Sequence, residues 1–475
     1  LLAMVLALVM TLSLAVSASA VKADEKINED YAEAVAVLNG MGVFKGYEDG
    51  SFKPENNITR AEVATIIYRI YTKDLAKNDK SGLYASYNKF SDMAGAGWAA
   101  GYIGYCANAE LVKGYPDGTF KPSGNVTGYE VLAMILRAVG YDKNGEFTGA
   151  DWALNVAKYA EQLKILKNVD KNTNLGAPAT RELVAEILFR AIQQPTVTYT
   201  PAFGYVTDKA LKLDETTLGK KNFNLDSKDS EDEWGRPSTK WYNTKTSKTY
   251  AEVVATPDAS YNVATAQCDI LKELGTKKDV KGDLIVNGQK LDAVTLKDVT
   301  GKVGAQGRQI EVFYKYNDAG DTRVVMIDTF LAYVDGTAEA KFDKNGHMTT
   351  PYTMTLYVYD QENEGRKVVL EDKDEAFTYE EGDYVLVNAY TDKVNSANES
   401  GNVLNNKDQY VEVIGKAESF VGAQTKIWKN AAQHTVADKV YDDAYKFLLN
   451  AAGSTGTTAY TWFLDQFGNL IGAVK

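Results

Sequence analysis

Two arginines stand where an anion could be gripped. Arg60 and Arg181 each directly follow a threonine, Thr59 and Thr180, that reads as a helix N-cap, so each lies on a first helical turn. There the free backbone N–H groups and the helix dipole favour an anion, and a guanidinium adds two-pronged recognition of a carboxylate. Arginine is scarce, nine against 43 lysines, and five of the nine lie between residues 60 and 190. The same two side chains would also serve as ordinary surface ion pairs, and the residues alone leave both uses open. Other chemistry is thinner. Two histidines, His347 and His434, and two cysteines, Cys106 and Cys268, are too few for a Cys/His zinc site. Neither histidine has a G-x-S-x-G partner, so no catalytic residue, cofactor or metal ligand is assigned. The run Asp170–Asn174 has the polarity of a calcium loop, but Leu175 and Arg181 occupy the places where an EF-hand needs Gly and Glu, and it reads as a polar loop. Cys106 reads as a small buried apolar residue. Carboxylates are plentiful, so a paired-carboxylate glycosidase survives simple counting.

The elements that must position Arg60 and Arg181 are repeated. Gly46-Tyr47-Glu48-Asp49-Gly50-Ser51-Phe52-Lys53-Pro54 recurs 68 residues later as Gly114-Tyr115-Pro116-Asp117-Gly118-Thr119-Phe120-Lys121-Pro122. Ile58-Thr59-Arg60-Ala61-Glu62 is matched at the same offset by Val126-Thr127-Gly128-Tyr129-Glu130. A weaker third copy runs from Trp152 to Ile192 and carries Ala179-Thr180-Arg181-Glu182. The Asp-Gly pairs are tight-turn chemistry, and Glu62 and Glu130 stand three residues after their threonines as capping-box partners. Beyond each cap, apolar residues fall at helical spacing: Val63, Ile66, Ile67 and Ile70; Val131, Met134, Ile135 and Ala138; Val184, Ile187, Leu188 and Ala191. An earlier helix opens each unit, near Tyr31, Trp98 and Trp152. One such unit cannot bury its stripes alone; three packed together can.

The length of 475 residues allows about two to four domains, and 45% hydrophobic with 24% charged residues marks a globular chain. The net charge of −12 argues against a broad nucleic-acid surface. Residues 1–23 read as a secretory signal: an apolar run, then the small residues Ala18-Ser19-Ala20. No initiator Met and no basic segment precede that run, so the sequence is expected to begin inside the signal. No later stretch is long and apolar enough to span a bilayer.

The order Trp, then G-Y-x-D-G-T-F-x-P, then T-R-A-E opening a helix resembles the S-layer homology domain. The resemblance covers roughly residues 24–203 and implies three repeats, 24–85, 86–143 and 144–203, in a pseudo-threefold all-α bundle. It further implies a secreted protein held non-covalently to a secondary cell-wall polysaccharide linked to peptidoglycan. In many Gram-positive members that sugar bears a pyruvate ketal, whose carboxylate the T-R-A-E arginine would contact. Carried onto this chain, the polymer-binding set is Gly46, Thr59, Arg60, Trp98, Gly114, Thr127, Trp152, Thr180 and Arg181. Trp98 and Trp152 could stack on a sugar, although a helix-opening tryptophan is more often core. The pattern is broken in places. Gly128 replaces the second arginine, Tyr31 the first tryptophan and Leu183 the third capping-box Glu, and Asn168–Asn174 lacks the glycine-loop consensus.

After Pro195 and Pro201 the pattern changes to period two, so residues 204–475 are expected to form one or two β-rich domains, giving an α+β multidomain chain. Tyr352, Met354, Leu356 and Val358 make one alternating face, and Ile310, Val312, Tyr314 and Tyr316 another. Asn287-Gly288 reads as a hairpin turn, and Asp383–Tyr390, Gln409–Ile414 and Tyr460–Leu464 read as strands; Val436–Asn450 stays unassigned. In Glu231-Asp232-Glu233-Trp234-Gly235-Arg236-Pro237, with Trp241-Tyr242 beyond, the aromatics either grip glycan or close the first β-layer. The leading reading is a display protein whose β-rich part self-associates on the surface or projects from it. Its rival is an anchored polysaccharide-degrading enzyme or an adhesin, and fold-level analogy does not choose between them.

Overall fold

The computed structural model describes residues 26–47, 50–75, 79–87, 89–211, 216–262, 281–291, 295, 306–317, 319–359, 366–373, 376–389, 411–428, 433–445, 447 and 455–474. The secretory signal expected at 1–23, and Cys268, lie outside these residues. The chain divides into two compact units, one running to Ser230 and including Thr239–Val253, the other comprising Glu231–Ser238 and Val254 onward.

Among the described residues, the first unit is built on the helices α1 (Glu29–Gly40), α2 (Arg60–Thr72), α3 (Ala100–Asn108), α4 (Gly128–Val139), α5 (Trp152–Gln162) and α6 (Arg181–Ile192). Capping sets where the long ones start. Thr59 Oγ1 accepts from Glu62 N–H while the Glu62 carboxylate accepts from Thr59 N–H, and Thr127 with Glu130 repeats the arrangement. Thr180 caps α6 through Leu183 N–H, and with leucine there no carboxylate returns the bond. The twelve stripe residues named from the sequence are all buried in one core. The helices interlock between repeats: α3 lies against α2, α5 against α4, and α1 against α6. Just ahead of the caps, Ile58 N–H donates to Ala179 O (3.2 Å), Ala179 N–H to Val126 O (2.9 Å) and Val126 N–H to Ile58 O (3.0 Å). The three helix starts therefore share one closed ring of backbone hydrogen bonds, which fixes their mutual register.

This core does not stop at residue 203. The segment Val197–Thr200 pairs with Gly204–Thr207, and a short helix α7 (Leu218–Phe223) follows. Leu218, Phe223, Leu225, Trp241 and Tyr250 are buried in the same cluster as the six helices. Asn222 Nδ2 donates to the carbonyls of Ile70 and Tyr71, satisfying acceptors at the end of α2. Gly40 and Gly140 admit the crossing chain: a Cβ would lie 1.8 Å from Tyr250 O at the first and 2.0 Å from Val197 O at the second.

The second unit is β-rich. Among the described residues it holds three five-stranded sheets. The first orders Ala259–Tyr261, Gln309–Phe313, Thr322–Ile327, Gly282–Val286 and Gln289–Leu291, with one parallel pairing between the third and fourth. The second orders Arg366–Asp372, Tyr352–Val358, Thr329–Ala338, Tyr384–Ala389 and Val411–Lys416; the third orders Lys439–Asp442, Gln433–Val436, Glu418–Ile427, Ala459–Leu464 and Leu470–Val474. Met354, Leu356 and Val358 point into a core as their alternation requires. Asn287 and Gly288 both have positive φ (47° and 76°) and close the expected hairpin. Two expectations shift. The face begun by Ile310 and Val312 ends at Phe313 rather than reaching Tyr316, because Lys315 turns left-handed (φ 53°). Part of the unassigned stretch, Lys439–Asp442, is a strand.

Candidate functional site

The two glycine loops share one geometry. Tyr47 N–H donates to Ser51 O and Tyr115 N–H to Thr119 O, both at 2.8 Å, and Gly50 and Gly118 turn with φ near 80°. Gly46 and Gly114 are required by this closure: a Cβ on either would sit 2.6 Å from the carbonyl oxygen of Ser51 or Thr119.

Into each loop reaches the arginine of a different repeat. Arg60 Nε donates to Phe120 O (2.7 Å), Nη2 to Lys113 O (3.2 Å) and Nη1 to the Glu130 carboxylate (2.9 Å). Its guanidinium carbon lies 4.6 Å from the ring centroids of both Tyr115 and Phe120. Arg181 repeats the pattern on the first loop, with Nε donating to Phe52 O (2.7 Å), Nη2 to Lys45 O (3.0 Å), and Glu62 at 3.8 Å. Both arginines are 3% exposed, so neither makes the surface ion pair that the sequence also allowed. Their two-pronged geometry is spent on carbonyls of the neighbouring repeat. Tyr115 O–H donates to Glu130 Oε1 (2.6 Å), and burial together with that carboxylate pushes the phenol up to about 12.

The departures noted in the second and third repeats meet at one place. Gly128 packs on Leu175: a Cβ there would lie 2.8 Å from Leu175 Cδ2, and Tyr129 N–H donates to Leu175 O (3.1 Å). Leu175 fills the space that any side chain at position 128 would have to enter. A missing arginine and a missing glycine loop are thus two halves of one replaced contact.

The tryptophans differ from each other. Trp98 stands in a single turn ahead of α3, 67% exposed and edge-on to Tyr102, against the expectation that it is core. Trp152 opens α5, half-buried and edge-on to Tyr129. Cys106 is fully buried, and burial pushes its thiol well above the usual range. At the opposite end of α4, a cavity of about 540 Å³ is walled partly by Lys113, Arg137 and Asp142. Burial opposes ionisation of Asp142, but bonds from Phe147 N–H, Arg137 and Lys113 outweigh it and hold the carboxyl below its usual range.

In the second unit, Trp234 is 2% exposed, packs with Ile285, Phe313, Val325 and Ile327, and donates Nε1–H to Glu412 (3.1 Å). It closes the β-layer; it does not offer a ring to glycan. His434 is buried between Gln424 (2.6 Å) and Asp443 (2.9 Å). Among the described residues no group of three or more His, Cys, Asp or Glu could hold a metal ion.

What the motif reading passed over are Tyr47, Tyr115, Lys53 and Lys121, which share the loops with the arginines. Their signal was present, since Tyr and Lys recur at the same offset as the glycines.

Comparison with known proteins bears on the repeats themselves. The S-layer homology domain model matches residues 25–64 and 89–132. A middle cell wall protein of Brevibacillus brevis is 30% identical over 168 residues, 35% of this chain and 15% of the relative. A surface layer protein of Brevibacillus choshinensis is 29% identical over 194 residues, covering 41% and 16%. A cellulosome-anchoring protein of Acetivibrio thermocellus is 39% identical over 116 residues, covering 24% and 25%. The chain therefore spans about a sixth of the length of the first two relatives and a quarter of the third. No helix among the described residues is long and apolar enough to cross a membrane. The chain carries S-layer homology domain sequence over residues 25–64 and 89–132 and is similar there to cell-wall and surface-layer proteins.

Proposed function

We propose that three S-layer homology repeats, 24–85, 86–143 and 144–203, make a pseudo-threefold bundle that anchors the protein non-covalently to a secondary cell-wall polysaccharide linked to peptidoglycan. The observation that carries this reading is the pair of glycine loops, each threaded by the arginine of another repeat and closed around the ring of hydrogen bonds at Ile58, Val126 and Ala179. Thr59, Thr127 and Thr180 hold the helix starts, Gly46 and Gly114 close the loops, and Arg60 and Arg181 charge them. Trp98 and Trp152 are the aromatic surfaces a sugar ring would meet. With Gly128 on Leu175, two loops work and the third contact is structural. The acidic sugar is taken to be the pyruvate-bearing kind. The β-rich part is assigned to display and self-association. The test is sedimentation of the full chain with purified Gram-positive cell walls, before and after removal of their non-peptidoglycan polymer. Binding to the first and loss with the second is expected; equal binding to both overturns the reading.

A further inference from the structure

In the β-rich unit, the second sheet gathers four tyrosines on the face opposite Met354, Leu356 and Val358. Tyr333 on the central strand stands across from Tyr357 on one neighbour and from Tyr384 on the other. The rings of Tyr333 and Tyr384 lie 5.3 Å apart. Tyr359 directly follows the strand of Tyr357, and its N–H donates to Leu331 O (2.9 Å), two residues from Tyr333. Burial, and after it the phenols of Tyr384, Tyr333 and Tyr357, push the Tyr359 hydroxyl above its ordinary value, so all three lie within electrostatic reach of it.

All four tyrosines are half-buried, yet none of their hydroxyls has a hydrogen-bond partner among the described residues. Other tyrosines of this chain at similar or deeper burial do find one: Tyr68 at Asp74, Tyr115 at Glu130, Tyr205 at Glu146, Tyr250 at Phe223 O and Tyr316 at Asp283. One end of the face is covered. Leu331 and Leu386 are buried there with Phe463 and Ile471, and the Tyr384 ring packs on Phe463 at 4.3 Å. Past the tyrosines the face carries half-buried Thr353, Thr355 and Val369. Lys367, across from Tyr357 with its ammonium 5.7 Å from that ring, is paired with Asp335 at 3.6 Å. The cluster thus offers rings and hydroxyls, and the charges beside it cancel. That balance suits a ligand that is uncharged and itself rich in hydroxyls.

We infer that Tyr333, Tyr357, Tyr359 and Tyr384 form a binding site for an uncharged polysaccharide chain. Its pyranose faces stack on the rings, and its hydroxyls exchange hydrogen bonds with the phenols. The site owes nothing to the arginine-bearing loops, so it stands whether or not the anchoring reading holds.

The experiment runs the full-length chain in native gels cast with hydroxyethylcellulose, arabinoxylan or soluble starch, three uncharged polysaccharides. Retardation by at least one of them is expected. Against that polymer Tyr333→Ala/Tyr357→Ala should bind about tenfold or more weakly, and Tyr333→Phe/Tyr357→Phe, which keeps the rings, a few-fold more weakly. Thermal unfolding is recorded for each protein. Should the alanine variant fail to fold, the parent decides: tyrosine nitration by tetranitromethane is mapped by mass spectrometry with and without the polymer. Saturating polymer should protect the four tyrosines severalfold and leave the exposed Tyr71 and Tyr87 as reactive as before. Retardation by none of the three polymers overturns the proposal. So does retardation that leaves the four tyrosines fully reactive, or a folded alanine variant that binds like the parent. A phenylalanine variant equal to the parent overturns the role of the hydroxyls. Protection that grows with protein concentration in the absence of polymer would mark a contact between copies of the chain, and would overturn the glycan assignment.

Discussion

Replacing Arg60 by alanine removes three hydrogen bonds at once, to Phe120 O, Lys113 O and Glu130. Two of the acceptors are loop carbonyls facing a side chain that is 3% exposed, so water does not simply take its place. The Glu130 side chain is 14% exposed and keeps its bonds from Tyr115 O–H and Thr127 N–H, which softens the loss of its counter-charge. Breaking a buried pair by removing one partner costs about 3–5 kcal/mol, so the loss should fall toward the lower end of that range, about 3 kcal/mol. For a unit of this size each kcal/mol moves the midpoint by about 2–4 °C, giving a fall of roughly 6–12 °C in the helical transition. Arg181→Ala should cost less, because Glu62 stands 3.8 Å away with its side chain 25% exposed. Arg60→Lys should recover little, since an ammonium lacks the planar fork that reaches two carbonyls and a carboxylate. The assay is thermal unfolding of the full chain followed by far-UV ellipticity. An Arg60→Ala protein whose helical transition coincides with that of the parent would refute the reasoning, and would mean the loop is held by its glycine turn alone.

Three further outcomes are expected. Gly140→Ala should destabilise by about 3 kcal/mol or more, since its Cβ would meet Val197 O at 2.0 Å with φ at +121°, whereas Gly118→Ala, open around its Cβ, should cost only about 1 kcal/mol; urea midpoints decide this. Asp142 is held below its usual range in the fold, so its contribution is present above the unfolded value of about 4 and vanishes as pH falls through the folded one. Asp142→Asn should therefore be less stable than the parent at neutral pH, with the gap closing below about pH 4 in denaturation curves taken across that range. The Cys106 thiol, buried and near Ala64 O (3.4 Å), should resist alkylation in the native chain and react after unfolding, as read by mass spectrometry of its peptide; stoichiometric native labelling would contradict its burial.

The local devices of this protein were legible one residue at a time. The threonine caps, the Asp-Gly turns, the helical stripes and the Asn287-Gly288 hairpin each depend on residues a few positions apart, where the sequence spacing is the spatial spacing. The family resemblance rested on those same blocks. The destination of the arginines was not legible, because Arg60 finds its partners 53 to 70 residues onward and Arg181 finds its own 129 and 136 residues back. A first-turn arginine on an isolated helix faces water, and only the closing of one repeat onto the next converts it into a buried strut. For the same reason Gly128 and the altered third loop looked like two separate departures until Leu175 was seen lying on that glycine. Trp234 and His434 follow suit: local composition left their environments undecided, and sheet packing buried both. Capping and turn geometry are settled by short-range sterics and hydrogen bonding, which the order of residues contains. Which polar group is desolvated, and by whom, is settled by contacts across the chain, which only the folded structure creates.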